Sequence, residues 1–243
     1  MINKTSYENQ LNMPLSSKIE ESTIIDYRNN GFIVARELYP SAVIEAMKEE
    51  IARLRYFHTE KVHLEPSVKN TGDTVEHKIY NFLESSPFFK NFACAPDLLE
   101  VVNRLTGWKC VLCTDKINLK LPGGREFYPH QDMSGMWSKY MSNIISVFIA
   151  IDKATIENGC LELAPAQHTS GILGEYMRPI SEENLSKLKF IPIELEPGDV
   201  IFFDGFLPHR SGPNLSDKSR TTLLLSYNDS AEGDFRSKFI SGN

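Results

Sequence analysis

The sequence has no excess of positive charge. Lys and Arg number 26 against 32 Asp and Glu, a net charge of −6. Such a balance gives no electrostatic support to broad nucleic-acid binding. Long apolar runs are also missing, and none nears the roughly 20 residues a membrane-spanning helix needs. The opening residues, Met1-Ile2-Asn3-Lys4-Thr5, are polar and do not read as a secretory leader. Cysteine is scarce, at four. Cys110 and Cys113 make one CxxC, but there is no second pair to complete a zinc site. A three-residue step on a strand also turns the two thiols to opposite faces. The expectation is reduced thiols in a cytoplasmic protein. Repeats, low-complexity segments and linkers are absent as well, so nothing suggests a second domain.

What is present is a chain of 243 residues, 41 % hydrophobic, enough for one sizeable core. Residues 1–15 read as a loose polar start, and 16–243 as a single domain. Helical spacing runs from Ser17 to Asn30 and stops at Gly31. Phe32-Ile33-Val34 begins a strand. A second helix opens at Pro40 and Ser41, with Val43, Ile44, Met47, Ile51 and Leu54 on one face. Residues 58–75, with His58 and His63, read as a loop, a candidate lid. Lys78 to Phe82 looks extended, and Pro96 to Arg104 helical up to Gly107. From Trp108 onward the pattern is strands: 108–121, 127–132, 143–151, 159–164, 190–195, 199–203 and 220–228. Early helices followed by many short strands predict a mainly β fold, a double-sheet jelly roll with helices packed outside.

The chemistry concentrates in Tyr128-Pro129-His130-Gln131-Asp132 and in Pro208-His209-Arg210-Ser211-Gly212-Pro213-Asn214. On an extended strand His130 and Asp132 point to one face and can reach one metal. His209, arriving from another strand, would complete two imidazoles and one carboxylate on one side of an ion. That set leaves open positions for oxygen and a co-substrate, as in non-haem Fe(II) oxygenases. Arg220 follows His209 by eleven residues and can grip a carboxylate through two parallel hydrogen bonds. His77 and His168 fall outside this pattern, and His168 reads as a turn residue.

His-x-Asp, then His, then Arg in this order resembles the phytanoyl-CoA dioxygenase family of Fe(II)/2-oxoglutarate enzymes. The likeness runs from about Asp26 to the C-terminus. It includes Lys116 to Gly124, Glu157 to Glu162, Pro197 to Asp204, Ser226-Tyr227-Asn228 and Glu232-Gly233-Asp234. It implies a cupin-like double-stranded β-helix. It also implies Fe(II) held by His130, Asp132 and His209, with 2-oxoglutarate and O2 as co-substrates. Arg220 would pair with the far carboxylate of the oxo acid, helped by Ser211. Lys78 and Asn118 match co-substrate contacts of some relatives, or are a surface lysine and a strand-end asparagine. Asp132 favours hydroxylation, because related halogenases have a small residue there, although desaturation and ring formation use the same ligands.

The wording nearest to this chain belongs to the branch that contains 2-aminoethylphosphonate dioxygenase. A small phosphonate- or amino-acid-like substrate is therefore expected, with Lys116 and Arg125 as anion contacts or as solvated charges at a strand end. Trp137, in the segment after the ligands, would pack on the substrate or cover the barrel mouth. Natural-product tailoring is the alternative, and a non-catalytic jelly-roll binding protein is a further one. An acyl-CoA is disfavoured, since no basic patch for its phosphates is evident. The assembly is expected to be a monomer or homodimer.

Overall fold

The computed structural model describes residues 14–69, 72–175 and 178–240, and the side chains of 136, 137, 239 and 240 fall outside that description. The N-terminal segment expected to be loose lies outside it up to residue 13. Leu15 is already in the core, 2 % exposed.

Helices form first. α1 is Glu21–Asn30 and stops where Gly31 takes φ +78° and its N–H bonds the Tyr27 carbonyl. β1 is Phe32–Ala35 and α2 is Ser41–Phe57, whose buried stripe is the one read from sequence. β2, Val62–Pro66, and β3, Thr74–Tyr80, pair as an antiparallel hairpin. This corrects the loop expected over 58–75. The error has a physical cause: β2 is an edge strand whose residues are largely exposed, so it has no apolar alternation to betray it. α3, Pro87–Ala93, went unread in the sequence, while α4, Pro96–Thr106, ends at Gly107 as expected.

The strands follow: β4 Cys110–Lys120, β5 Phe127–His130, β6 Ile144–Ala150 and β7 Leu161–Leu163. Then come β8 Ile191–Ile193, β9 Val200–Asp204, β10 His209–Ser211 and β11 Arg220–Asp229. A short α5, Glu182–Leu185, precedes β8, and α6, Arg236–Ile240, follows β11. Seven strands form one antiparallel sheet in the order β1-β9-β6-β11-β4-β3-β2. Four form the other, β5-β10-β7-β8. This is the double-sheet barrel with outer helices that the sequence predicted.

Alternation along the strands divides the interior. Ile145, Val147, Ile149, Phe202, Leu223, Leu225 and Tyr227 join the helices in one core. Phe148, Ile201, Phe203, Leu161, Leu163 and Leu224 face inward, between the sheets. On β4, Ile117 and Leu119 belong to the helix-side core. Lys116, Asn118 and Lys120, one residue out of step, therefore face the barrel interior. All four cysteines are free; Cys110 and Cys113 lie in different clusters, and burial pushes the Cys113 thiol up to about 12. Among the described residues, no helix is long and apolar enough to cross a membrane.

Candidate active site

β10 lies between β5 and β7, and its first residue, His209, is the register partner of His130. That single pairing brings the two imidazoles together, with ring centroids 4.2 Å apart. Asp132 is not on the strand as expected. It opens a short 3-10 turn just after β5, and the turn swings its carboxylate back toward both rings. The Nε2 atoms of His130 and His209 each lie 3.7 Å from Asp132 Oδ1. The candidate ligand atoms all fall within 4.8 Å of one another.

The surrounding bonds fix which atoms face the common space. His130 Nδ1–H donates to the Tyr128 carbonyl at 2.7 Å, and His209 Nδ1–H to that of Leu207 at 2.9 Å. Each ring therefore turns its Nε2 toward the shared space. Ser146 Oγ donates to Asp132 Oδ2 at 2.8 Å, leaving Oδ1 free. Burial, then the neighbouring His209, pushes His130 down to about 4, so it is neutral near pH 7. Burial alone would raise the Asp132 carboxyl. His209, Lys116, His130 and the Ser146 hydroxyl outweigh it and hold the group below its ordinary value. One nitrogen from each imidazole and one carboxylate oxygen, converging on a common space, fit an Fe(II) ion with open positions.

Behind this triad lies an inner cavity whose walls include Lys78, Asn118, Phe148, Ser211, Arg220 and Leu224. Arg220 is 1 % exposed, and its Nε and Nη1 have no hydrogen-bond partner. Asn118 Oδ1 and Thr222 Oγ1 are buried and unpartnered too. Unpaired buried groups of this kind are costly, and a guanidinium most of all. A ligand with a carboxylate at one end would pair with the Arg220 Nε and Nη1 donors, so the cavity fits 2-oxoglutarate as well as the triad fits iron. Burial, then Lys116, pushes Lys78 down to about 8.

On the other side of His130 and Asp132 an outer cavity opens, bordered by Lys116, Phe127, Tyr128, Ser134, Arg178 and Pro179. Lys116 borders both cavities. Of the residues singled out in the sequence, Lys78, Lys116, Asn118, Ser211 and Arg220 gather around the triad. Arg125 does not: it is exposed, its side chain borders neither cavity, and its backbone N–H bonds Glu65. It lies in the turn between β4 and β5, and the turn sends it outward. The side chain of Trp137 is outside the described set. His168 is a turn residue, its Nε2 3.2 Å from the Arg28 carbonyl. Sequence reading missed Ser146, Arg178 and Lys120. Only Lys120 left a signal: it continues the two-residue step of Lys116 and Asn118.

The chain is 29 % identical to 2-aminoethylphosphonate dioxygenase of uncultured bacterium HF130_AEPn_1 over 222 residues, covering 86 % of this chain and 82 % of that one. It is 40 % identical over 136 residues to methylphosphonate hydroxylase of Gimesia maris, covering 56 % of this chain and about half, 52 %, of that one. The non-haem 2-oxoglutarate-dependent carbocyclase SnoK of nogalamycin biosynthesis superposes with a TM-score of 0.77 at 17 % identity, over 88 % of this chain and 86 % of that one, a likeness of fold. The phytanoyl-CoA dioxygenase (PhyH) family model matches residues 27–222, and the chain belongs to that family of Fe(II)- and 2-oxoglutarate-dependent dioxygenases.

Proposed function

We propose that the protein hydroxylates a C–H bond of a small anionic or zwitterionic molecule, phosphonate- or amino-acid-like, releasing succinate and CO2. The observation that carries this reading is Lys116, which stands where the inner and outer cavities meet, opposite His130 and Asp132. A cation there can hold a charged group of the substrate beside the metal position. Arg178 at the rim adds a second positive charge on the way in. The names of two relatives, a phosphonate dioxygenase and a phosphonate hydroxylase, support the same class.

In this reading His130, Asp132 and His209 hold the iron and Ser146 orients Asp132. Arg220 pairs with the far carboxylate of 2-oxoglutarate, with Ser211 and Asn118 beside it. Phe148, Phe203 and Leu224 keep water out of the inner cavity. Iron, 2-oxoglutarate and oxygen together supply the oxidising power, and the chain supplies position. Lys116 selects which C–H bond is presented, because fixing one end of a small molecule fixes the other.

The test is succinate release by the Fe(II)-loaded protein against phosphonates, amino acids and fatty acyl-CoAs. Coupled turnover is expected with a small anion. Lys116→Ala should raise its KM about tenfold or more, as for loss of a charged hydrogen bond, and should leave anaerobic 2-oxoglutarate binding nearly unchanged. Coupled turnover of acyl-CoA alone would overturn the substrate reading.

A further inference from the structure

Arg220 on β11 and Lys120 on β4 are direct register partners in the large sheet. Like charges set opposite each other across a strand pair repel. Here both are buried, Arg220 at 1 % and Lys120 at 2 % exposure. Among the described residues neither forms an ion pair with a carboxylate. Lys120 Nζ donates only to neutral oxygens, Ser211 Oγ at 2.6 Å and the Gly212 carbonyl, and sits over the Phe127 ring at 4.8 Å. Two adjacent buried basic groups without a paired carboxylate favour loss of a proton from one of them while the pocket is empty.

We propose that Lys120 is a supporting cation of the co-substrate pocket: from behind the wall residue Ser211 and beside Arg220, it reserves that pocket for 2-oxo acids bearing a second carboxylate. This rests on reading the inner cavity as the 2-oxoglutarate site.

Two carboxylates, Glu65 and Glu126, act on Lys120 through space, and neither forms an ion pair with it. Glu65 on β2 is engaged by His77 and by the Arg125 N–H. Glu126, ahead of β5, is hydrogen-bonded by Tyr128. Lys78 on β3 lies over the same Phe127 ring, at 4.5 Å, and adds positive charge. The Cys160 thiol is raised by burial and stays neutral. Burial, then Arg220, pushes Lys120 down to about 6. A carboxylate arriving between Arg220 and Ser211 offsets that repulsion, and the amine takes a proton from solvent as the diacid binds. A 2-oxo acid lacking the far carboxylate brings no charge to this end and leaves Lys120 deprotonated.

Calorimetry on the full Mn(II)-loaded chain near neutral pH tests this without turnover. The probes are 2-oxoglutarate and 2-oxopentanoate, a matched acid without the far carboxylate, each titrated in phosphate and in Tris. Wild-type protein should take up a large fraction of one proton with 2-oxoglutarate and nearly none with 2-oxopentanoate. Lys120→Met should abolish the uptake and weaken 2-oxoglutarate about tenfold or more, while 2-oxopentanoate keeps its affinity. Lys120→Arg should recover part of the loss. Unchanged 2-oxoglutarate affinity in Lys120→Met, or an equal loss for both acids, would overturn the assignment. So would the absence of proton uptake by wild-type protein, a measurement needing no variant. If wild-type protein bound neither acid, the co-substrate reading would fall with it.

Discussion

Each imidazole of the triad donates its Nδ1 proton to a carbonyl two residues before it. Local backbone geometry therefore chooses the nitrogen that faces the shared space. Asp132 needs a different device, because a free carboxylate in a turn can rotate. Ser146, on β6 and fully buried, holds one of its oxygens. Outer contacts of this kind typically change metal affinity by about 10- to 100-fold. Ser146→Ala is accordingly expected to weaken Fe(II) binding within that range with little change in thermal stability. Asp132→Ala should remove most metal affinity and turnover. Equilibrium dialysis against Fe(II) under nitrogen, with a melting curve for each variant, checks both. Wild-type affinity in Ser146→Ala would show that the hydroxyl does not orient the ligand.

The elements that carry the site are short. β5 has four residues and β10 three, too few for any periodicity to register. Their alignment comes from neighbours. The turn Glu157-Asn158-Gly159 braces the exit of β10. Asn158, 4 % exposed, donates to the Lys153 carbonyl and accepts from Thr155 N–H. Gly159 has φ +74°, and a Cβ there would lie 2.2 Å from the Gly212 oxygen. That same oxygen accepts from Lys120. Gly159→Ala must therefore both strain the turn and displace the chain beside the pocket. A loss of about 1–3 kcal/mol is expected from the backbone strain alone. Urea unfolding measures it, and 2-oxoglutarate affinity should fall in the same variant. Gly159→Ala with wild-type stability would mean the turn tolerates a shift that the contact distance forbids.

Across the whole molecule, buried positive charge links stability to pH. Lys120 has a folded value of about 6 against 10.5 for the free side chain. Between these limits the unfolded chain binds more protons than the folded one. Stability from this residue therefore rises with pH through the window. Below about 6 both states carry the charge, and the penalty of burying it is complete. Above 10.5 neither does, and it vanishes. Metal-free Lys120→Met should thus gain most over wild type in acid, with the gain shrinking steadily toward alkaline pH. Melting temperatures of the two proteins across that range test it, and a pH-independent difference would contradict it. Saturating 2-oxoglutarate on the Mn(II)-loaded proteins should narrow the gap, since a ligand that binds only the folded state stabilises it by mass action.

The chain by itself determined the chemistry and most of the frame. His130, Asp132, His209 and Arg220 are legible because their residue types and order have few other uses together. Helices ending at Gly31 and Gly107 are legible because only a left-handed cap needs glycine there. The tertiary structure decided what has no local signature. It placed Asp132 on a turn instead of a strand, and made a hairpin of residues whose exposure erased their pattern. It turned Arg125 outward and brought Arg178 to the rim of the outer cavity. It also set Lys120 against Arg220, a repulsive pair whose two members lie a hundred residues apart and meet only when β4 and β11 align. Local propensity acts over a few residues; charge acts through space, and only the closed barrel sets those distances.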